Sequence, residues 1–124
     1  KDVTLVSYGG MMPPSLRAAE MAGAEGVEVE AIDLRTLIPL DVETVAKSVE
    51  KTGRLLLVTQ APEIGCFCEH VSYEITRKCF GSLKAAPRIV AAHDLPPPMA
   101  QTLEQENIPQ PAKIHGALLQ LARV

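Results

Sequence analysis

Residues 41–59 read DVETVAKSVEKTGRLLLVT, and this stretch predicts a helix followed by a buried strand. Apolar residues recur in the helix at the i, i+3, i+4 and i+7 positions and share one face: Val42, Val45, Ala46 and Val49. Asp41 precedes the helix as an N-cap, and Gly53 stands where a glycine commonly ends a helix. The continuous apolar run 55–58 is typical of a parallel strand that helices cover on both faces.

The alternation of strand and helix extends in both directions along the chain. Short apolar runs predict four strands, at residues 3–8, 27–33, 54–59 and 88–93. Helices are predicted at residues 13–22, 42–52, 67–80 and 99–106, and a last helix carries an apolar stripe: Ile114, Ala117, Leu118, Leu121 and Ala122. Strands that alternate with helices predict a three-layer α/β domain with a largely parallel sheet.

The composition restricts the class of protein. The 124 residues are 47 % apolar and 22 % charged, which suits one globular domain over residues 1–124. The net charge is −3, and without a basic cluster or an aromatic surplus the chain is not expected to bind nucleic acid. No apolar run is long enough to cross a membrane, and no signal segment is recognisable. Because the chain starts at Lys1 and enters a strand at once, we interpret it as a fragment of a longer chain or as a processed chain.

Three cysteines form a first candidate site: Cys66, Cys68 and Cys79. A zinc site needs four ligands, usually in pairs with wider spacing, and one Cys-x-Cys pair does not supply them. The sequence therefore predicts no metal site. Two interpretations of Cys66 and Cys68 remain, as buried structural residues or as thiols whose pKa is lowered by the N-terminus of the helix that follows.

Polar residues at strand ends form a second candidate site, because ligands of open α/β sheets bind at the carboxyl ends of the strands. His93 and Asp94 follow the fourth predicted strand, and Gln60 follows the third. No nucleophile motif accompanies them. Gly9 and Gly10 continue into Met-Met-Pro-Pro, which lacks the dinucleotide fingerprint and two of the N–H groups that a phosphate needs. We therefore predict no catalytic residue and no cofactor-binding residue in this chain.

The connection 33–41 places one arginine among apolar residues. An unpaired buried charge is costly, so we expect Arg35 to have carboxylate or carbonyl partners. The prediction is a structural tie between loops, formed by Asp33, Arg35 and Asp41.

Residues 30–55, EAIDLRTLIPLDVETVAKSVEKTGRL, carry a resemblance to a known family. Three shorter segments continue it: VTLVSYG at 3–9, DLPPPMA at 94–100 and IPQP at 108–111. Together they resemble the C-terminal domain of the β subunit of 2-oxoacid dehydrogenase first components, the thiamine-diphosphate enzymes of the pyruvate, branched-chain and acetoin type. The wider group is the transketolase C-terminal domain. The resemblance implies a three-layer α/β/α fold whose sheet is mostly parallel and five-stranded, with one antiparallel edge strand.

The resemblance also implies a function. In the family this domain serves subunit assembly and docking on the lipoyl acyltransferase core, and the domain alone is expected to be inactive. The whole enzyme decarboxylates a 2-oxo acid oxidatively and acylates a lipoyl group, with thiamine diphosphate and Mg bound outside this domain. The implied partners are the α subunit and a second β subunit, and exposed apolar surface should favour self-association. The implied location is the bacterial cytoplasm or the mitochondrial matrix.

Two other interpretations stay open beside this one. The chain could be a diverged stand-alone domain that binds a ligand or a protein, with a pocket at Gln60, Cys66, His93 and Asp94. It could also belong to another transketolase-group enzyme, such as transketolase itself or a deoxyxylulose-phosphate synthase, although residues 33–53 favour the dehydrogenase branch.

The chain departs from the family pattern at two turns. Thr59-Gln60-Ala61 stands in place of His-Glu-Ala, and residues 65–69, GCFCE, stand in place of Gly-Gly-Phe-Gly/Ala-Glu. A carboxylate has become an amide and two small residues have become cysteines. The candidate interface or pocket therefore combines these turns with the end of the fourth strand: Gln60, Cys66, Phe67, Glu69, His93 and Asp94.

Overall fold

The computed structural model describes residues 1–124, which form four strands and five α-helices. The strands are Val3–Ser7 (β1), Val29–Asp33 (β2), Leu55–Pro62 (β3) and Arg88–Ala92 (β4). The helices are Met12–Ala24 (α1), Val42–Thr52 (α2), Phe67–Cys79 (α3), Gln101–Asn107 (α4) and Pro111–Ala122 (α5). Short 3-10 turns precede α1 and follow α3, at Gly9–Met11 and Phe80–Ser82. None of the helices combines the length and apolar character that crossing a bilayer requires.

The sheet confirms the α/β class and corrects the strand count. Its order is β2-β1-β3-β4, and all three neighbouring pairs are parallel. The expectation of five strands with an antiparallel edge is wrong for this chain, whose sheet has four. The segment after β4 cannot supply another strand, because three successive prolines at 96–98 lack the N–H groups that a ladder needs.

Helices cover both faces of the sheet and bury two separate apolar clusters. On one face α1 and α5 pack together over side chains that include Leu5, Leu56 and Leu118. On the other face α2 and α3 pack over a cluster that includes Leu57 and Ile75. The central strands are buried from both sides, which is why residues 55–58 are apolar without alternation. The predicted three-layer arrangement is confirmed.

Helix α2 shows how closely local signals define an element. It spans the residues that the apolar period predicts, and Gly53 ends it with a φ of +73°, a conformation that L side chains rarely adopt. The Asp41 carboxylate accepts hydrogen bonds from the Thr44 amide at 3.1 Å and from the Thr44 hydroxyl at 2.6 Å. Asp41 is therefore the N-cap that the sequence predicts.

Loss of this cap should lower the melting temperature of the chain. The Thr44 hydroxyl and then the Thr44 amide lower the pKa of Asp41, so the folded state favours the carboxylate. The stabilisation is then present above the unfolded pKa of aspartate, about 3.9, and is lost as the pH falls through the lower folded pKa. We expect Asp41→Ala to melt below the wild type at neutral pH, with the difference vanishing in acid.

The matched control is Asp41→Asn, which keeps a side-chain oxygen able to accept from Thr44 but has no titrating group. Thermal melts followed by circular dichroism at several pH values would measure all three proteins. A melting difference for Asp41→Ala that persisted unchanged in acid would contradict the assignment of the effect to the carboxylate.

Candidate functional site

The carboxyl ends of the four parallel strands meet at one edge of the sheet. Loops that carry most of the candidate residues leave from this edge: Tyr8 after β1, Asp33 at the end of β2, Gln60 within the last part of β3 and His93 after β4. This is the location where open α/β sheets bind their ligands.

An aromatic and hydroxyl cluster lies between the ends of β1 and β3. The Tyr8 hydroxyl hydrogen-bonds the Thr59 hydroxyl at 3.0 Å. The Tyr8 and Phe67 rings meet edge to face, with centroids 6.4 Å apart. Phe67 also contacts the His70 ring, whose centroid lies 5.5 Å away at a tilt of 50°. Burial raises the pKa of Tyr8, so its hydroxyl is protonated at neutral pH. The cluster fixes the start of α3 against the sheet.

The cysteine turn is buried beneath this cluster. Cys66 and Cys68 are both buried, and neither forms a disulfide. Burial, with the nearby Cys66 as a smaller contribution, raises the pKa of the Cys68 thiol to about 12. The interpretation as a reactive thiol of lowered pKa is therefore wrong for Cys68. Burial also raises the pKa of Cys79, whose thiol lies 3.8 Å from the Ala46 carbonyl oxygen.

Cys68 should accordingly resist thiol reagents until the protein unfolds. In a Cys66→Ser/Cys79→Ser variant, we expect Ellman's reagent at pH 8 to leave Cys68 unmodified in buffer and to modify it fully in urea. The physical reason is the near-absence of thiolate at that pH together with the lack of access. Rapid modification of the folded variant, with its circular dichroism unchanged, would contradict the burial of this residue.

Two carboxylates of the predicted set stabilise the loop between β3 and α3. The Gly65 amide donates to Glu69 Oε2 at 3.0 Å, and the Ile64 amide donates to Asp94 Oδ1 at 3.2 Å. Asp94 thus ties the β3–α3 loop to the loop after β4. The tie from Asp94 could not be predicted from the sequence, since Asp94 and Ile64 lie thirty positions apart, whereas the Glu69 bond spans only four positions.

His93 is held through its main chain by a residue that the sequence analysis missed. The His93 amide donates to Asn107 Oδ1 at 3.1 Å, and Asn107 is buried. The sequence signal for Asn107 is a polar residue directly before Ile108, at the end of α4. A side-chain amide that is buried there needs a hydrogen-bond partner. The bond fixes the end of β4 against α4.

The predicted pocket residues do not converge on one cavity. Gln60 lines a hollow of about 80 Å³ with residues of the α4 region, whereas His93 and Asp94 line a hollow of about 300 Å³ along β4. Cys66 is buried. The arrangement favours loop packing over a shared ligand pocket.

The predicted tie in the connection 33–41 forms only in part. Arg35 Nε pairs with Asp33 Oδ2 at 2.6 Å, but the Arg35 side chain is 87 % exposed, so the expectation of a buried arginine is wrong. Asp41 caps α2 instead of joining this pair. The three residues share one hollow of about 190 Å³ with Thr36 and Thr44. Because the ion pair is exposed, it contributes little to stability.

The residues present do not fit a diphosphate and magnesium site. No group of three or more His, Cys, Asp or Glu side chains is placed to hold a metal ion. Helix α1, which follows β1, has Pro13 and Pro14 in its first turn, so two of the amides that would face a phosphate are missing. No catalytic step is assigned to these residues.

Large apolar side chains are exposed on the loops and on helix α4, which follow the carboxyl ends of the strands. Ile38 is 91 % exposed, Ile64 77 % and Met99 99 %, and Leu95 and Leu103 are also exposed. We call these five residues the apolar rim. Side chains this exposed would leave water if another protein covered them, which would favour such a contact.

The comparison with family models identifies the domain. The model of the transketolase C-terminal domain matches residues 1–114. The chain belongs to the transketolase C-terminal domain family. This membership confirms the resemblance that residues 30–55 carry.

Curated relatives of this transketolase C-terminal domain include β subunits. The chain is 43 % identical over 117 residues to the acetoin:2,6-dichlorophenolindophenol oxidoreductase subunit beta of Cupriavidus necator, covering 94 % of the chain and 35 % of that protein. It is 42 % identical over 113 residues to the pyruvate dehydrogenase E1 component subunit beta of Leifsonia xyli, covering 91 % and 33 %. The chain thus spans about a third of the length of the curated relatives it matches.

A eukaryotic relative and a solved structure extend the comparison. The mitochondrial 2-oxoisovalerate dehydrogenase subunit beta of Dictyostelium discoideum is 41 % identical over 100 residues, which cover 80 % of this transketolase C-terminal domain and 27 % of that protein. A solved structure described as a split gene transketolase, inactive beta4 tetramer, superposes with a TM-score of 0.84 at 25 % identity. The match covers 99 % of the chain and 40 % of that structure.

Proposed function

We propose that this chain is the assembly and acyltransferase-core docking domain of a 2-oxoacid dehydrogenase β subunit. The whole enzyme would decarboxylate a 2-oxo acid oxidatively and acylate a lipoyl group, with thiamine diphosphate and Mg held outside this domain. The observation that carries the proposal is identity of 41–43 % over most of the chain to the beta subunits of an acetoin oxidoreductase, a pyruvate dehydrogenase E1 component and a 2-oxoisovalerate dehydrogenase. The cell compartment would be the cytoplasm of a bacterium or the matrix of a mitochondrion.

The proposed partners are the α subunit, a second β subunit and the lipoyl acyltransferase core. The apolar rim supports an assembly role, because side chains as exposed as Ile38 and Met99 are stabilised when a partner removes them from water. The tetramer named for the solved relative supports self-association of this domain type. The ties made by Asp94, Glu69 and Asn107 hold the rim loops in defined positions, which limits the entropy lost on binding.

Substitutions in the apolar rim test the assembly role. In the β subunit that contains this chain, Met99→Asp and Ile38→Asp should each reduce co-purification with the α subunit, since a charge would be buried unpaired in the contact. The matched control is Phe80→Asp, because Phe80 is similarly exposed but follows α3 at the opposite end of the sheet. Equal co-purification of all three variants and the wild type would contradict the role of the rim.

Activity and docking are measured separately. We expect residues 1–124 to give no turnover with thiamine diphosphate, Mg²⁺ and a 2-oxo acid. Turnover would contradict the proposal that the catalytic groups lie outside this domain. The assembled enzyme is expected to bind the isolated acyltransferase core in sedimentation. An assembled enzyme that turned over but left the core unbound would contradict the docking role alone.

A further inference from the structure

A small hollow of about 80 Å³ lies between the end of β3, the proline segment after β4 and helix α4. Its walls are mostly apolar and include three prolines, Leu95 and Ile108, whereas its polar lining is Gln60, Glu104 and Asn107. It lies at the carboxyl end of the sheet, where open α/β sheets bind their ligands. A space of this size holds about two or three waters or one small organic group.

The three polar side chains have hydrogen-bonding capacity that the protein itself does not use. Asn107 is 7 % exposed, and its Oδ1 accepts from the His93 amide at 3.1 Å. Its Nδ2 donates to no group of the protein but is not sealed from solvent. The Glu104 carboxylate has no cationic partner, and the Gln60 amide has no hydrogen bond within the protein. Because a buried side-chain amide needs partners for its N–H groups, Asn107 marks the hollow as a site that a ligand completes.

We propose that this hollow binds a primary carboxamide group. The carboxamide oxygen accepts from Asn107 Nδ2, and the two carboxamide N–H groups donate to the Glu104 carboxylate and to Gln60 Oε1. The carbon that bears the amide packs against the proline walls and Leu95. Every polar group of the ligand and of the hollow then has a partner, so neither side is desolvated without compensation.

Charged groups of similar size fit the same side chains less well. A carboxylate brings no N–H for Glu104, and its charge is repelled by that residue. An ammonium or guanidinium group pairs with Glu104 but has no acceptor for Asn107 Nδ2. The neutral carboxamide is both a donor and an acceptor, which is the combination that Glu104 and Asn107 together require.

A titration of ¹⁵N-labelled residues 1–124 tests the site with three compounds of equal size: propionamide, propionate and n-butylammonium. Propionamide should shift the NMR signals of the Asn107 side-chain NH₂ and of the His93 amide, with a Kd of about 1–10 mM, as so small a ligand allows. Propionate and n-butylammonium should each bind more weakly by about fivefold or more, because each leaves one polar group of the hollow without a partner.

A pair of variants on α4 separates polar recognition from simple filling of space. Glu104→Ala removes one acceptor and should raise the propionamide Kd by about fivefold. The matched control is Glu106→Ala, which removes an exposed carboxylate from the same helix but outside this hollow, and it should leave the Kd unchanged. Signals of residues distant from the hollow show that each variant is folded.

A third variant tests the selectivity for a neutral ligand. Gln60→Glu places a second carboxylate beside Glu104, so n-butylammonium should then bind more tightly than propionamide. An unchanged order of the two compounds would contradict the role of Gln60 in the site.

Absence of any shift of the Asn107 side-chain signals at about 100 mM propionamide, well above the expected Kd, would overturn the proposal and leave the hollow to water. Equal binding of the three compounds, or equal affinities of the Glu104→Ala and Glu106→Ala variants, would overturn it as well. None of these results bears on co-purification with the α subunit, so the carboxamide site and the proposed function fail separately.

The same titration of the assembled enzyme identifies the source of the carboxamide. Binding that is retained there supports a site for a free amide ligand. Binding that is blocked there, although residues 1–124 bind propionamide, supports an asparagine or glutamine side chain of a partner subunit as the occupant.

Discussion

Replacing Ile75 by alanine should lower the free energy of unfolding by about 2–5 kcal/mol. Ile75 is fully buried on the inner face of α3 and belongs to the cluster that also contains Leu55, Leu57 and Val71. Removal of the side chain leaves a cavity next to strands β1 and β3. These strands are buried from both sides, so they cannot move in to fill it. Because stabilities of natural domains are about 5–15 kcal/mol, this one change removes a large share of the total.

Urea unfolding followed by circular dichroism measures this loss as a shift of the midpoint at constant slope. The conservative variant Ile75→Val removes one methylene and should cost only about 0.5–1.5 kcal/mol. A loss for Ile75→Ala that was no larger than that for Ile75→Val would show that α3 repacks, and would contradict the tight contact of this helix with the sheet.

Replacing Thr4 by valine should cost about 1–3 kcal/mol although the side chain keeps its shape. The Thr4 hydroxyl lies 2.7 Å from the Ser48 hydroxyl and 2.8 Å from the Thr52 hydroxyl, and all three residues are buried between β1 and α2. Valine removes the group that both helix hydroxyls share. The Thr52 hydroxyl keeps its bond to the Arg54 carbonyl at 3.1 Å, whereas the buried Ser48 hydroxyl loses its Thr4 partner without regaining water.

The double variant Thr4→Val/Ser48→Ala separates this effect from a change in packing. In Thr4→Val the Ser48 hydroxyl has lost its partner, and Ser48→Ala then removes that hydroxyl. The double variant should therefore lose less free energy of unfolding than the sum of the two single variants. Urea midpoints of the four proteins give the coupling energy. Additive losses would contradict the coupling of Thr4 with Ser48.

The candidate site shows where reasoning from the sequence ends. The cap of α2 by Asp41 was predictable, because a cap acts within one turn. The position of Arg35 was not, since an apolar connection does not reveal whether its arginine faces the sheet or the solvent. The ties from Asp94 to Ile64 and from Asn107 to His93 join separate loops, and residue types alone do not show which loops meet.

The pKa of the thiols in the cysteine turn also could not be predicted from the sequence, because it depends on burial. Two thiols at the start of a helix suggest a lowered pKa, because the helix N-terminus favours a negative charge. In the structure the desolvation of Cys68 outweighs that effect and raises its pKa. The outcome depended on how deeply α3 packs, and the sequence of the turn contains no measure of that depth.

The sequence by itself determined the order of strands and helices, the ends of α2 and the family, because these depend on short-range periodicity, caps and local motifs. Only the tertiary structure decided the order β2-β1-β3-β4, the exposed apolar rim and the burial of the three cysteines. These features arise when residues far apart in the chain, such as Thr4 and Ser48 at a separation of 44 positions, are brought into contact. That contact is a property of the packed chain, since the same local elements could dock in other arrangements.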